Sequence, residues 1–102
     1  MTQYDDLITA QARQNFLLLG GVGAVYNDTE NADLDVLAVV DRDVAVQSDN
    51  GLSVVLSDVI SFLKIEIPSP ERSGTVLIGS ETFAISHKIF DDGFVVKVAV
   101  RS

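Results

Sequence analysis

Four groups of residues have types and spacing that chemistry could use. His87 is the single histidine, with Ser86 beside it and Asp91 and Asp92 shortly after. A general base needs a positioned acceptor or nucleophile. On an alternating strand, His87 shares a face with Phe83, Ile85 and Ile89, while Ser86 points to the other side. The plainer reading is a core-edge histidine with one hydrogen bond. Asp91-Asp92-Gly93 is a carboxylate pair, but two acids before a glycine also make an ordinary turn. Gly20-Gly21-Val22-Gly23 could cradle a phosphate, yet phosphate loops follow a strand and precede a helix. Here the order is reversed, which predicts a helix stop and a joint. Asp41, Asp43 and Asp49 could suggest calcium, but an EF-hand loop from Asp41 needs glycine and glutamate where Val46 and Leu52 stand. No cofactor and no metal are expected.

The chain has no cysteine, so disulfides, thiolate zinc sites and cysteine nucleophiles are excluded. No Gly-x-Ser-x-Gly elbow is present. With so little reactive chemistry, the elements that would position it become the subject.

The last third has a strict period of two. Thr75 to Ile78 is a short apolar run, and Gly79-Ser80 suits a type II′ hairpin turn. Phe83, Ile85 and Ile89 then oppose Thr82, Ser86 and Lys88. Asp91-Asp92-Gly93 turns the chain, and Phe94, Val96, Val98 and Val100 face one way against Lys97 and Arg101. Such patterning implies half-buried strands on a core.

Upstream, Thr2 with Asp5 can cap a helix. Tyr4, Leu7, Ile8, Ala12 and Phe16 form its apolar stripe, and Gly20-Gly21 ends it. The predicted helix runs from Gln3 to Leu18. Val22 to Tyr26 is a strand and Asn27 to Asp33 an acidic loop. Val36 to Val40 is a strand that could continue through Val44 and Val46. Ser48-Asp49-Asn50-Gly51 is a turn, after which Leu52, Val54 and Leu56 alternate. Asp58 to Ile67 is ambiguous: Asp58 to Ser61 could be a helical turn, and Leu63, Ile65 and Ile67 a strand. Pro68 to Ser73 must be irregular, since two prolines remove backbone donors.

These elements predict a mainly β, α+β fold of one domain, 1–102. An N-terminal helix (1–20) precedes a compact antiparallel β-barrel or sandwich of about six strands (21–102). The net charge of −8 lies unevenly: residues 1–58 hold ten acids and two bases, and the rest is neutral. Direct nucleic-acid binding is therefore not expected, for no basic stripe exists. No apolar stretch is long enough to span a bilayer as a helix. The start, Met1 to Asp6, lacks the basic region of a secretory signal.

The run Pro68-Ser69-Pro70-Glu71-Arg72-Ser73-Gly74-Thr75-Val76-Leu77-Ile78-Gly79-Ser80-Glu81-Thr82-Phe83-Ala84-Ile85, followed by Asp91-Asp92-Gly93 and an apolar strand, resembles small phage head–tail joining proteins of the lambda type and their prophage relatives. Tyr4-Asp5-Asp6-Leu7 before a helix with Ala10, Ala12 and Arg13 is similar too. The resemblance implies a helix followed by a compact β-barrel, and no enzyme. It implies a virion protein at the head–tail junction, made in the host cytoplasm, forming a ring with copies of itself. Its partners would be a portal or adaptor protein above and a tail terminator or tail-tube protein below. The alternatives are a tail-completion or tail-terminator protein, a small β-barrel module for a peptide or small ligand, and an enzyme using His87 with Asp91 or Asp92.

On the connector reading, irregular polar loops make the contacts and become ordered on assembly. The candidates are Asn27, Asp28, Glu30, Asp33 and Asp35 in one loop, Asp49 and Asn50 in a turn, and Pro68, Pro70, Glu71 and Arg72 in another loop.

Overall fold

Alternation places one face of every strand inside a closed barrel. The structure is a computed structural model that describes residues 11, 13–48 and 50–101. The predicted cap at Thr2 and the stripe residues Tyr4, Leu7, Ile8 and Ala12 lie outside the described residues. So does Asp49. The described helical turns, 13–18, are α1. Gly20 ends α1 at φ 97°. Its N–H donates to Leu17 O (3.1 Å), and Gly21 N–H donates to Phe16 O (3.0 Å). This is the Schellman pattern that a glycine pair makes easy.

Six strands follow: β1 Val22–Asn27, β2 Leu34–Gln47, β3 Val54–Leu63, β4 Thr75–Ile78, β5 Glu81–Asp91 and β6 Val95–Arg101. All pairings are antiparallel, in the closed order β1-β2-β3-β6-β5-β4. Gly79 (φ 61°) and Gly93 (φ 90°) supply the left-handed turn positions. Inside, Tyr26, Ile60, Phe62, Val76, Phe83, Ile85, Val96 and Val98 fill the lumen. Tyr26 and Phe62 meet edge to face, with centroids 6.1 Å apart. Small barrels are packed cores in this way, not channels.

Two apolar clusters lie on the outside of the barrel. Phe16 of α1 covers Leu37 and Leu63. Arg13 pairs with Glu66, and Glu66 also accepts the Leu37 N–H at 2.9 Å, which pins the helix to β2. The second cluster joins Val46 to Val59 and Ala99, with Ile89 alongside.

Several expectations are corrected. Asp58 to Leu63 is neither a helical turn nor a strand start, but the second half of β3. Residues 59–63 are buried on both faces, because the two outer clusters cover what would have been the polar side. Ile65 and Ile67 lie past the strand, in a turn where Ile67 N–H donates to Leu63 O (3.1 Å). Leu52 precedes β3. Asp35 lies within β2, paired with Val25, and is not a loop residue. Phe94 departs from the face of Val96, Val98 and Val100: it precedes β6 and is 79% exposed.

Candidate functional site

The two acidic and proline-bearing loops meet at one end of the barrel. Tyr26, at the end of β1, is the reason. Its ring is sealed in the core, but its hydroxyl reaches the rim and donates to Asp28 Oδ2 at 2.5 Å. The Tyr26 hydroxyl oxygen also accepts the Glu71 N–H at 3.0 Å. Glu71 in turn accepts from the Thr29 hydroxyl (2.7 Å) and the Thr29 N–H (3.2 Å). Asp28 Oδ1 accepts the N–H groups of Glu30 (2.8 Å) and Asn31 (2.7 Å). Asn27 Oδ1 accepts the Asp33 N–H at 2.7 Å. Gly74 lets the loops approach, for a Cβ there would sit 3.0 Å from Glu71 O and 3.2 Å from Asn27 O.

These bonds set the local electrostatics. Burial pushes the Tyr26 phenol well above its ordinary value, and the bond to Asp28 adds to this. Burial also raises Asp28, but the bonds from Tyr26 and from the Glu30 and Asn31 amides outweigh it, so its carboxyl lies below the usual range. Asp28 and Glu71 are thus cross-links of the loop crown. Glu30, Asp33, Pro68 and Arg72 are exposed on it, Pro70 is half-buried, and Asp35 is exposed on the adjoining strand.

The third candidate segment lies elsewhere. By strand direction, β2 leaves the crown at Leu34 and carries the chain to the opposite end. There the β2–β3 hairpin runs on past its pairing with β1 and β6, and its Val46 and Gln47 lie against Ala99, Ile89 and His87 on the outer wall. A bulge at Arg42-Asp43, with Asp43 at φ 54°, redirects it. Arg42 turns onto the barrel end, 5.2 Å from the Phe83 ring centroid, and binds Asp58 (2.9 Å) and Glu81 (2.8 Å). Past the bulge, Val44, Ala45, Val46 and Gln47 pair with Ser57, Leu56, Val55 and Val54. The turn is closed by Gly51 N–H to Ser48 O (2.8 Å), with Asn50 Oδ1 accepting from the Ser48 hydroxyl (2.7 Å) and the Leu52 N–H (3.0 Å). Asn50 is therefore a turn former.

One face of this arm packs through Val46 on β5 and β6. The other faces solvent: Leu52 is 85%, Val54 69% and Leu56 71% exposed. Sequence alternation predicts a strand near these residues but gives no sign that its apolar face lies open. The available signal is charge, since Val44 to Ser57 holds one ionisable residue, Asp49.

His87 serves this arm. A bulge between Ile85 and His87 shifts the register, so Ser86 and His87 do not take opposite faces as a regular strand requires. Ser86 Oγ lies 2.9 Å from His87 Nδ1, and His87 Nε2 lies 2.9 Å from Gln47 O. A carbonyl only accepts, so Nε2 donates to it, and in the neutral imidazole Nδ1 then accepts from the serine. Both ring nitrogens are engaged. Asp91 is bound by Lys64 (2.8 Å), which holds its carboxyl below the usual range. Asp92 accepts the amides of Val95 (2.8 Å) and Phe94 (2.9 Å), which lower it likewise. Histidine and carboxylates are thus committed to different jobs. Among the described residues no group of three or more histidines and acids is placed to hold a metal.

A second apolar surface lies on the barrel side between α1 and β5–β6. Phe16, Leu19, Val39, Phe90 and Val95 line it together with the buried Ser61 and with Asp41, Asp92 and Lys97, and Lys97 extends over Phe90 at 5.5 Å. The recess holds about 460 Å³.

No family model matches the chain, and no curated protein matches it. Among solved structures, the crystal structure of the ATP-binding sugar transporter-like protein from Salmonella typhimurium is similar, with a TM-score of 0.55 and 13% identity. The match covers 100% of this chain and 99% of that one. At that identity the likeness concerns the fold alone.

Proposed function

We propose that this protein is a structural connector of a tailed phage or prophage virion, joining the filled head to the tail by protein–protein contacts in a ring. The observation that carries the reading is a closed barrel with two unlike ends. One end holds a crosslinked acidic loop crown, and from the other a hairpin packs onto the outer wall with one apolar face open to solvent. A connector needs such polarity, because it must meet a portal or adaptor protein on one side and a tail terminator or tail-tube protein on the other. The resemblance of Pro68 to Ile85 to head–tail joining proteins supports the same reading. The role requires no bond-making chemistry, and His87, Asp91 and Asp92 have structural work. The crown would present Glu30, Asp33 and Asp35 to a basic partner, with charge setting approach rate more than final affinity.

Complementation tests this reading. Phage lacking the gene should yield filled heads and free tails, and adding the purified protein to that lysate should restore infectious particles. Normal infectivity without the gene would remove the connector role.

A further inference from the structure

The turn at the tip of the β2–β3 hairpin sets an asparagine before a glycine, and two of its hydrogen bonds converge on one oxygen. Asn50 Oδ1 accepts from the Ser48 hydroxyl (2.7 Å) and from the Leu52 N–H (3.0 Å). Both donors draw electrons from the side-chain carbonyl and leave its carbon, Cγ, more open to attack. Donors placed on an oxygen that gains negative charge are what acyl-transfer sites provide. The nucleophile within reach along the chain is the backbone nitrogen of Gly51. Gly51 lies at φ 74°, and nothing stands within 4 Å of the place that a Cβ would take. Both residues are exposed, so water reaches them.

One bond opposes the attack. Gly51 N–H donates to Ser48 O at 2.8 Å, so its nitrogen is free to react only while that bond is open. It is a single bond in an exposed turn, and such turns open locally without unfolding the core.

We infer that Asn50 is a site of self-modification, at which the Gly51 nitrogen displaces the side-chain amide while the Ser48 hydroxyl and the Leu52 amide hold the oxygen that turns negative. The Gly51 nitrogen gives its proton to solvent and bonds to Asn50 Cγ. The Cγ–Nδ2 bond then breaks, and the nitrogen leaves as ammonia with a proton from solvent. The product is a cyclic imide, which water opens at either carbonyl. Opening at Cγ leaves aspartate. Opening at the main-chain carbonyl leaves isoaspartate, whose backbone runs through the side chain. Water is the co-reactant, and nothing is oxidised or reduced.

The other asparagines, Asn15, Asn27 and Asn31, precede Phe16, Asp28 and Ala32, each with a Cβ to crowd the attack. Phe16 is buried. Asp28 N–H donates to Asn31 O at 2.9 Å. The amide nitrogen that Asn31 would lose is held by Asp28 Oδ1 at 3.1 Å. At Asn50 the change has a local consequence, because Val44 to Ser57 holds one ionisable residue, Asp49. Aspartate keeps the acceptor oxygen and adds a charge to the hairpin tip. Isoaspartate adds a backbone carbon to a turn that the Gly51–Ser48 bond and the Ser48 N–H to Ser53 O bond (2.8 Å) now close. Newly made and aged copies therefore differ at this tip. The inference does not rest on the connector reading.

Trypsin digestion of protein aged in warm, mildly alkaline buffer tests it. Peptide 43–64 holds Asn50 and no other asparagine, and peptide 14–42 holds the other three. Peptide 43–64 should gain the mass difference between an amide and an acid about tenfold faster than peptide 14–42. In heavy-oxygen water the new acid should carry one solvent oxygen, and enzymatic methylation should detect isoaspartate in the same peptide. A peptide 43–64 that stays unchanged, or changes no faster than 14–42, would overturn the proposal. Two variants separate activation of the carbonyl from looseness of the turn. Ser48→Ala removes a donor to Asn50 Oδ1. Ser53→Ala removes a hydroxyl that bonds Ser48 Oγ (3.2 Å) without touching Asn50. Circular dichroism checks that both fold. Ser48→Ala should slow the conversion and Ser53→Ala should not. Undiminished conversion in Ser48→Ala, or equal slowing in both, would overturn the role given to the turn.

Discussion

At the scale of single residues, Tyr26 and His87 do similar work by different means. Each fixes a peripheral segment to the barrel through one polar group on a mostly apolar body. Tyr26→Phe keeps the ring and removes the hydroxyl, which leaves the Glu71 amide and an Asp28 oxygen without their partner. The expected loss is about 1–3 kcal/mol by urea denaturation. Amide exchange should rise in both loops together, since the phenol joins them. An increase in one loop alone would show that the crown is not a unit. The sequence marks Asp28 and Glu71 as contacts, but in the fold their carboxylates close the crown from within. Nothing in composition distinguishes a carboxylate that meets a partner from one that closes a turn. His87→Gln should leave the fold and the biological role intact, while faster amide exchange in Val44–Gln47 reports the loosened arm. Loss of assembly in a folded variant whose arm exchanges no faster would contradict a purely structural histidine.

At the scale of elements, legibility follows burial. β4, β6 and the first half of β5 are readable because one face is buried and the other wet, which writes a period of two into the sequence; past Ile85 two bulges move His87 and Ile89 off the face of Phe83 and Ile85 that the alternation predicts for them. Phe83 sits at the centre of that pattern and is sealed in the lumen. Phe83→Ala should cost about 3–5 kcal/mol in equilibrium unfolding. A loss near that of a surface change, below about 1 kcal/mol, would contradict its placement. The stretch from Asp58 to Ile67 is illegible because α1 and the arm cover the outer face of β3. Val59, Ser61 and Leu63 are as buried as Ile60 and Phe62, so the alternation vanishes. The bulges at Arg42-Asp43 and Ser86 are not legible either, since one extra residue leaves composition unchanged and only turns side chains to another face. The loop crown carries an element-scale prediction of its own. Glu30→Gln, Asp33→Asn and Asp35→Asn together leave its internal side-chain bonds in place. If the crown meets a basic partner, association should slow and depend less on salt. A rate indifferent to the substitutions and to salt would leave these acids to solubility alone.

At the scale of the whole molecule, four carboxylates among the described residues are held below their ordinary range: Asp28, Glu81, Asp91 and Asp92. Lowered folded values mean that the unfolded chain binds protons first. Their stabilisation is therefore fully present above the ordinary carboxylate range, and it fades as pH falls through about 4 and below. Unfolding midpoints should fall in that window, and Asp92→Asn should flatten the fall. A midpoint that holds steady from pH 6 to pH 3 would refute the assignment. The two ends of the barrel belong to one scaffold, whose interior is inert and whose ends and side are surfaces. The most direct measurement is electron cryo-microscopy of virions carrying a tagged form of this protein. A connector should give a ring of tag density between portal and tail. Tag density confined to the capsid shell, the tail tip or the free cytoplasmic fraction, with an unlabelled neck, would contradict it.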